Sequence, residues 1–209
     1  MRIVKVKICG ITCPEDAQAA VRMGADIVGL NFYDKSPRYL TLDQAARIAI
    51  QLPAMTSLAG VFVNASTEFV RDAVNQCYLD WIQLHGDETP EYCQAFKLDS
   101  AKVMKAFRIK DQRDMDRISD FSTDAVLLDA FHSDRYGGTG QTFDWGLLNH
   151  TGRRVFLAGG ITPENVRTAV ELGVYGIDIC SGIESAPGKK DHQKMQALFD
   201  NIREADNPA

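Results

Sequence analysis

The chain has 209 residues, of which 45% are hydrophobic and 24% charged, and its 23 basic and 28 acidic side chains give a formal net charge of −5. This composition is typical of a folded globular protein and excludes the disordered and fibrous classes. The acidic balance disfavours non-specific binding to nucleic acid or to an anionic membrane, so the expected partner is a small molecule. We expect one domain over residues 1–209.

Apolar residues in the first segment, 1–7, are interrupted by charges, so this segment cannot be the core of a signal peptide. No stretch approaches the roughly 18 consecutive apolar residues of a membrane helix. Four histidines and an odd number of scattered cysteines, with no Cys-x-x-Cys pair, favour reduced thiols in a cytoplasmic protein and no metal site. The cysteines are Cys9, Cys13, Cys77, Cys93 and Cys180.

Short runs rich in Val, Ile and Leu predict eight strands, which begin near Ile3, Asp26, Ser57, Leu79, Lys102, Asp124, Arg154 and Tyr175. Stretches with helical periodicity lie between several of these runs, at 14–23, 42–51, 67–76, 90–96 and 163–172. The tail after about Asn201 is predicted to fray. Strands therefore alternate with helices along the chain.

Three of the helices share a start signal in which Thr and Pro precede Glu, at 89–91, at 162–164 and, with one residue inserted, at 12–15. Proline at the first helical position loses no hydrogen bond, and an acidic side chain interacts favourably with the positive end of the helix dipole. Gly24 and Gly173 stand where a left-handed residue would end a helix.

Alternating strands and helices imply a parallel sheet covered by helices, and eight repeats are enough to close a barrel. We predict an α/β protein that forms a single (β/α)8 TIM barrel. A doubly wound open sheet is the alternative, but the turn at 9–12 lacks the Gly-x-Gly-x-x-Gly pattern of a dinucleotide loop. The glycine-rich stretch 136–140 is either a floppy connector or a mobile lid that excludes water.

In such a barrel the active site lies at the carboxyl ends of the strands. Gly159 and Gly160 follow the seventh predicted strand, and Ser181 and Gly182 follow the eighth. These are the two loops where barrels commonly bind phosphate, because small residues let an anion approach backbone amides. Each pair alone is also compatible with a simple tight turn, but the presence of both favours a phosphate site.

Two other strand ends carry candidate proton-transfer groups. Asp129 ends an apolar strand, where a carboxylate is costly unless it is functional or paired with Lys7 or Lys105. Cys9 ends the first strand on the same face as Lys7, although an isolated cysteine is more often a small buried apolar residue. His85 follows the fourth strand and is either part of the site or a satisfied loop histidine.

Several motifs occur in a fixed order from residue 3 to about residue 192: KICGIT at 7–12, SPR at 36–38, QLHG at 83–86, LD at 128–129, GGTG at 137–140 with FDW at 143–145, LAGGI at 157–161, and SGIE at 181–184. Together they resemble the phosphoribosylanthranilate isomerase family of tryptophan biosynthesis. No single motif is decisive, but the set in this order is specific to that family.

The resemblance implies an Amadori rearrangement without a cofactor. In that reaction N-(5-phosphoribosyl)anthranilate becomes the open-chain 1-(2-carboxyphenylamino)-1-deoxyribulose 5-phosphate. Opening the ribose ring needs a proton on the ring oxygen, and the shift from aldose to ketose needs a proton removed from C2. Matched position by position, the resemblance makes Cys9 the general base and Asp129 the general acid.

The resemblance also implies roles in substrate binding. Arg38 matches the residue that contacts the anthranilate carboxylate, for which a planar guanidinium is well shaped. Without the neighbouring motif, the alternative interpretation of Arg38 is a solvated charge on a loop. We place His85 and Asp178 beside the substrate as well, although an ion pair inside the barrel would also explain Asp178. The chain departs from the family pattern at Cys180, where a serine is more usual, which removes one side-chain phosphate contact and leaves the backbone contacts.

Three rival functions remain. The related histidine-pathway phosphosugar isomerase has Asp as its first-strand catalytic residue, where this chain has Cys9. A metal-dependent pentose-phosphate epimerase needs several His and acidic ligands at strand ends, and only His85 is present. A non-catalytic phosphosugar-binding barrel would not need both Cys9 and Asp129. The expected partner is a phosphosugar, without nucleic acid or membrane, and the protein is expected to be a monomer or a homodimer.

Overall fold

A closed barrel of eight parallel strands, arranged in chain order, forms the centre of the computed structural model, which describes residues 4–130, 144–148 and 152–206. The strands are β1 Lys5–Ile8, β2 Ile27–Asn31, β3 Ser57–Phe62, β4 Trp81–Leu84, β5 Lys102–Ile109, β6 Ala125–Ala130, β7 Val155–Leu157 and β8 Gly176–Ile179. Pairing of β1 with β8 closes the ring. The predicted barrel is confirmed, and the open-sheet alternative is wrong.

Helices cover the outside of the barrel: α1 Pro14–Met23, α2 Leu42–Ala49, α3 Thr67–Cys77, α4 Pro90–Gln94, α5 Gln112–Asp116, α6 Val166–Glu171 and α7 His192–Asp206. Short 3-10 helices occur at Arg117–Asp120, Trp145–Leu147 and Ser181–Ile183, and strands β9 Glu184–Ala186 and β10 Lys189–Lys190 form an antiparallel ribbon. Among the described residues, no helix is both long and apolar enough to span a membrane.

The helix predictions are confirmed in part. Helix α1 covers the predicted residues, and Gly24 and Gly173 have φ angles of 121° and 67° at the ends of α1 and α6. Helix α6 begins three residues later than predicted, because the Asn165 side chain accepts from the N–H of Thr162 at 2.8 Å and holds a turn there. The predicted fraying after Asn201 is wrong for residues 202–206, which belong to α7, and residues 207–209 lie outside the described residues.

The final helix continues to Asp206 because its inner face is part of the core. Its side chains Met195, Leu198, Phe199 and Ile202 are at most 1% exposed. Burial of each such side chain contributes roughly 1.5–3 kcal/mol, which is enough to hold the last turns in place. The glycine-rich stretch 136–140, predicted as a connector or a lid, lies outside the described residues.

The two ends of the barrel interior differ in polarity. At the amino ends of the strands the interior is a small apolar cluster in which large side chains such as Trp81, Met104 and Phe156 alternate with alanines. Toward the carboxyl ends the buried interior side chains are polar and include Lys7, Gln83, Asp129 and Asp178. Because buried charges are costly unless they are paired, this polar end is where a functional site is expected.

Three aspartates bind the strands together at the apolar end. Asp26, Asp80 and Asp124 each stand immediately before an even-numbered strand. Each accepts a hydrogen bond at 2.8 Å from the backbone N–H near the start of the preceding odd-numbered strand, namely from residues 6, 58 and 103. These side chains satisfy donors that the parallel ladder leaves without partners.

Candidate active site

One cleft at the carboxyl ends of the strands brings together every residue predicted for the site: Cys9, Arg38, His85, Asp129, Gly159, Gly160, Asp178, Ser181 and Gly182. Asn31, Tyr33, Gln83 and Cys180 line the same cleft. Residues scattered over the whole chain converge here because the strand ends of a parallel barrel meet at one rim.

Cys9 lies beside a buried ion pair. Nζ of Lys7 is 2.8 Å from Oδ1 of Asp178, and the Lys7 side chain is fully buried. A Cβ placed on Gly29 would lie 3.0 Å from both Sγ of Cys9 and Nζ of Lys7, so a side chain here would push against both groups. Asp178 therefore lines the cleft and also forms an ion pair inside the barrel. The two interpretations of Asp178 from the sequence do not exclude each other.

The electrostatics of this group favour a thiolate at Cys9. A hydrogen bond from Cys180 is the largest cause that holds the pKa of the Cys9 thiol well below its ordinary value; burial opposes this effect and the charge of Lys7 adds to it. Burial disfavours the Lys7 cation, but attraction to Asp178 and Cys9 outweighs it and raises the pKa of Lys7. Burial raises the pKa of the Asp178 carboxyl to about 7, against the attraction of Lys7.

Asp129 faces the cleft from the opposite side, since β6 is three strands from β1 around the ring. Its Oδ1 accepts from the N–H of Ala130 at 2.9 Å, and its Oδ2 is 3.3 Å from Nε2 of His85. The interpretation of Asp129 as the partner of a lysine is wrong, because Lys7 pairs with Asp178 and Lys105 lies on the other face of β5, with Nζ 2.9 Å from Oε2 of Glu88.

His85 belongs to the same group as Asp129. Nε2 of Gln83 donates to Nδ1 of His85 at 2.9 Å, so the neutral ring carries its proton on Nε2, the nitrogen that faces Asp129. A Cβ placed on Gly159 would lie 2.7 Å from Oδ1 of Asp129, so this glycine leaves the space that the carboxylate occupies. His85 thus lines the cleft beside Asp129, and its contact with substrate stays a prediction.

Arg38 is buried at the rim of the cleft. Its Nε and Nη2 donate to Oε1 and Oε2 of Glu184 at 2.8 and 2.6 Å, so the solvated-charge interpretation is wrong. Among the described residues no acceptor binds Nη1, which leaves donors for an added carboxylate. A Cβ on Gly10, whose φ is 71°, would collide with Cδ of Arg38. Gly10 therefore gives the arginine stem its position.

Two adjacent loops present backbone amides to the other end of the cleft. Gly159 and Gly160 have φ angles of 82° and 64°, and neither N–H has an acceptor among the described residues. Ser181 and Gly182 begin a 3-10 helix, whose first N–H groups have no acceptor within the helix. A Cβ on Gly182 would collide with the carbonyl oxygen of Ile161, so the two loops are in contact. The turns are tight and also leave donors for an anion.

Residues 6–201 match the family model described as N-(5'phosphoribosyl)anthranilate (PRA) isomerase. The chain belongs to this family. An N-(5'-phosphoribosyl)anthranilate isomerase from Trichlorobacter lovleyi is 45% identical over 207 residues, which cover 97% of this chain and 100% of that protein. This family membership excludes the epimerase alternative and disfavours the histidine-pathway isomerase.

Solved structures of the family have the same fold. One describes monomers of the dimeric phosphoribosylanthranilate isomerase from Thermotoga maritima, with a TM-score of 0.86 at 39% identity over 96% of this chain and 98% of that chain. Another is a phosphoribosyl anthranilate isomerase in complex with reduced 1-(o-carboxyphenylamino)-1-deoxyribulose 5-phosphate, with a TM-score of 0.84 at 38% identity and the same coverage.

Three residues in or next to the cleft had no predicted role. Gln83 stands two residues before His85, so strand alternation was a signal that both side chains share a face. Glu184 belongs to a recognised motif, but its ion pair with Arg38 spans 146 residues of sequence and has no local signal. Nζ of Lys190 is 3.0 Å from Oε1 of Glu184, and no local sequence signal predicts this contact either.

Proposed function

We propose that this chain converts N-(5-phosphoribosyl)anthranilate into 1-(2-carboxyphenylamino)-1-deoxyribulose 5-phosphate, the isomerase reaction of tryptophan synthesis, without a cofactor. The observation that carries the proposal is the placement of Cys9 and Asp129 on opposite sides of one cleft, between a buried arginine and two loops with free amides. This arrangement supplies the base, the acid and the anion contacts that the reaction needs.

Asp129 is the general acid in this proposal. Its proton passes to the ring oxygen of the ribose, the bond between that oxygen and C1 breaks, and the nitrogen of the anthranilate stabilises the resulting open-chain imine. The N–H of Ala130 and the ring of His85 contact different oxygens of the carboxyl group and hold it toward the cleft. A fixed orientation of the acid is worth several kcal/mol of barrier in such reactions.

Cys9 is the general base. Its thiolate removes the proton from C2 of the protonated open-chain imine, which gives an enolamine. Addition of a proton to C1 and loss of the proton from the C2 hydroxyl then complete the ketose. The nearby cation of Lys7 favours the thiolate before the proton is taken, and Asp178 keeps that cation in place through the 2.8 Å ion pair. A lowered pKa increases the fraction of thiolate, which is the form that acts as the base.

The two ends of the substrate are bound by different groups. Arg38 binds the anthranilate carboxylate through the donors that Glu184 does not use. The phosphate lies against the amides of Gly159, Gly160, Ser181 and Gly182, since glycine permits a close approach of an anion to the backbone. Anchoring at both ends keeps C1 and C2 between the acid and the base.

We propose further that residues 1–209 form one catalytic domain that works in the cytoplasm as a monomer or a homodimer, without nucleic acid or a membrane. The net charge of −5 supports the absence of a polyanionic partner. The free thiols among the described residues are consistent with a reducing compartment. The dimeric relative from Thermotoga maritima supports the homodimer as one of the two states.

The decisive experiment is a fluorescence assay for the loss of phosphoribosylanthranilate, which is generated in the cuvette because this aminal is labile. We expect turnover by the purified chain and none by a variant that combines Cys9→Ala with Asp129→Asn. The histidine-pathway substrate serves as a second control and should not be consumed. Absence of turnover at micromolar enzyme would leave the non-catalytic phosphosugar-binding barrel as the better interpretation.

A further inference from the structure

Cys180 directly follows β8, as Cys9 directly follows β1, and these two strands are neighbours in the barrel. Strands β1 and β8 pair in register, with Lys7 opposite Asp178, and the N–H of Cys9 donates to the carbonyl of residue 179 at 2.8 Å. Alternate residues of a strand share a face, so the two cysteines follow the Lys7–Asp178 ion pair on the same interior face. The two cysteines therefore lie side by side at the rim of the barrel, where both line the cleft.

Among the described residues, the proton of the Cys180 thiol has one other acceptor nearby, Oε1 of Glu184 at 4.0 Å. That oxygen already accepts from Nε of Arg38 at 2.8 Å and from Nζ of Lys190 at 3.0 Å. A carboxylate oxygen has two lone pairs, and these two charged donors occupy them at shorter distances. The Cys180 proton is therefore available to Sγ of Cys9.

The position of Cys180 is fixed from two sides. Nζ of Lys190, a side chain that is fully buried, donates to the Cys180 carbonyl at 3.1 Å. On the other side, a Cβ placed on Gly10 would lie 2.9 Å from Sγ of Cys180, so the absence of a side chain at Gly10 makes the space for this thiol. Cys180 is thus held in place by contacts that do not depend on Cys9.

We propose that Cys180 is a positioning residue for the isomerisation: its thiol donates a hydrogen bond to Sγ of Cys9 and so favours the thiolate that removes the substrate proton. The inference rests on the proposed function, because Cys180 acts only through Cys9 as the base. The other charged groups that face Cys9 are Lys7, Lys190 and Arg38, which also favour the thiolate, and Asp178, whose negative charge opposes it. Since these groups remain when Cys180 is replaced, the expected loss is partial.

The test compares two variants without a donor, Cys180→Ala and the bulkier Cys180→Val, with Cys180→Ser, whose hydroxyl still donates. The rate of alkylation of Cys9 by iodoacetamide is followed against pH, with mass spectrometry to assign the modified cysteine. In Cys180→Ala and Cys180→Val we expect the pH midpoint of Cys9 alkylation to rise by about one pH unit. At pH values below the midpoint, this rise means about tenfold less thiolate. Cys180→Ser should stay close to the parent protein.

A matched control removes another buried thiol. Cys93 lies in α4 with 2% exposure and is remote from the cleft lining, so Cys93→Ala should leave the Cys9 midpoint unchanged. In each variant, kcat/KM against pH is measured beside the alkylation. We expect the acid limb of kcat/KM to move with the alkylation midpoint, whereas KM for the substrate stays near the parent value.

An unchanged Cys9 midpoint in either donor-free variant that folds, as judged by circular dichroism, overturns the inference whatever the role of Cys9. A shift of equal size in Cys93→Ala also overturns it, because the effect would not be specific to Cys180. If the midpoint moves but kcat/KM does not follow, Cys9 is not the base; the proposed function then fails at that residue, and the role of Cys180 fails with it.

Discussion

Arg38 and Glu184 form a two-pronged buried ion pair, with Nε to Oε1 at 2.8 Å and Nη2 to Oε2 at 2.6 Å. The second cation on Glu184 is Lys190, 3.0 Å from the same Oε1. The carboxylate therefore fixes the plane of the guanidinium, and the two cations leave net positive charge at this end of the cleft. A pre-oriented arginine binds a carboxylate with less loss of side-chain entropy than a mobile one.

Arg38→Ala should weaken substrate binding mainly through the anthranilate carboxylate. Hydrogen bonds to charged groups are worth about 1.5–3 kcal/mol, so KM should rise by about 10- to 150-fold with a smaller change in kcat. Steady-state kinetics on a substrate without that carboxylate provide the control, and Arg38→Ala should leave KM for that substrate unchanged. An equal loss on both substrates would contradict the assigned contact.

Asp129→Asn should abolish ring opening while the folded protein keeps its affinity for a product analogue within about tenfold. The amide cannot donate the proton that the ring oxygen needs, and general acid catalysis commonly contributes about 10²- to 10⁴-fold in rate. Kinetics and equilibrium titration with the analogue separate the two effects. Asp124→Asn, at the opposite end of β6, is a matched control. A near-normal kcat in Asp129→Asn would show that the proton comes from elsewhere.

Cys9→Ser and Cys9→Ala should both fold and lose several orders of magnitude in kcat, because a hydroxyl is too weak an acid to supply an anion at neutral pH. Cys77→Ala, which removes a buried thiol of α3 outside the cleft lining, should keep full activity. Recovery of near-normal kcat in a folded Cys9→Ala variant would return Cys9 to a purely structural role.

The pH dependence of the parent protein tests the same residue. The pKa of Cys9 is lowered by the hydrogen bond from Cys180 and by Lys7. The thiolate is therefore lost only as the pH falls through that lowered value, and kcat/KM should rise with pH along a single titration with a midpoint below the ordinary thiol value of about 8.5. A midpoint at or above about 8.5, the ordinary thiol value, would contradict the favoured thiolate.

Gly160→Val should lose affinity for the product, because a side chain at this position blocks the approach of phosphate to the loop amides. Gly160 has φ 64°, so valine also brings backbone strain. Gly152 has the same φ, and a Cβ placed on it would have no atom of the described residues within 4 Å, so Gly152→Val carries the strain without touching the site. Isothermal titration with product compares the two variants, and equal affinities would place the phosphate elsewhere.

Asp80→Ala should lower stability without changing kinetics. The carboxylate of Asp80 accepts from the N–H of Leu58 at 2.8 Å at the end of the barrel remote from the cleft. Loss of the acceptor leaves that donor partly buried and unpaired, at a cost of about 1 kcal/mol. Urea unfolding measures the change, and Asp80→Asn, which keeps an acceptor oxygen, should lose less. A fall in kcat at unchanged stability would contradict the conclusion that this end of the barrel contributes to stability and the cleft end to catalysis.

The strands and their functional ends were predictable because each signal is local. An apolar run marks a strand, and in a closed parallel barrel the residue after the run reaches the common rim, as at Cys9 and Asp129. What the sequence did not predict depends on distant contacts. The start of α6 is set by the Asn165 side chain, and the orientation of Arg38 is set by Glu184, 146 residues away. Such pairs form only when the barrel closes.

The aspartate bonds at the apolar end of the barrel divide the ring into modules. Asp26, Asp80 and Asp124 join β1 to β2, β3 to β4 and β5 to β6, while no such carboxylate joins β2 to β3 or β4 to β5 among the described residues. Over these six of the eight strands, each carboxylate bond therefore falls within one pair of strands, while backbone pairing joins one pair to the next. Chain breaks placed between modules, after α2 or α4, leave all three bonds within intact fragments, which makes those loops the natural points for splitting or permuting the protein.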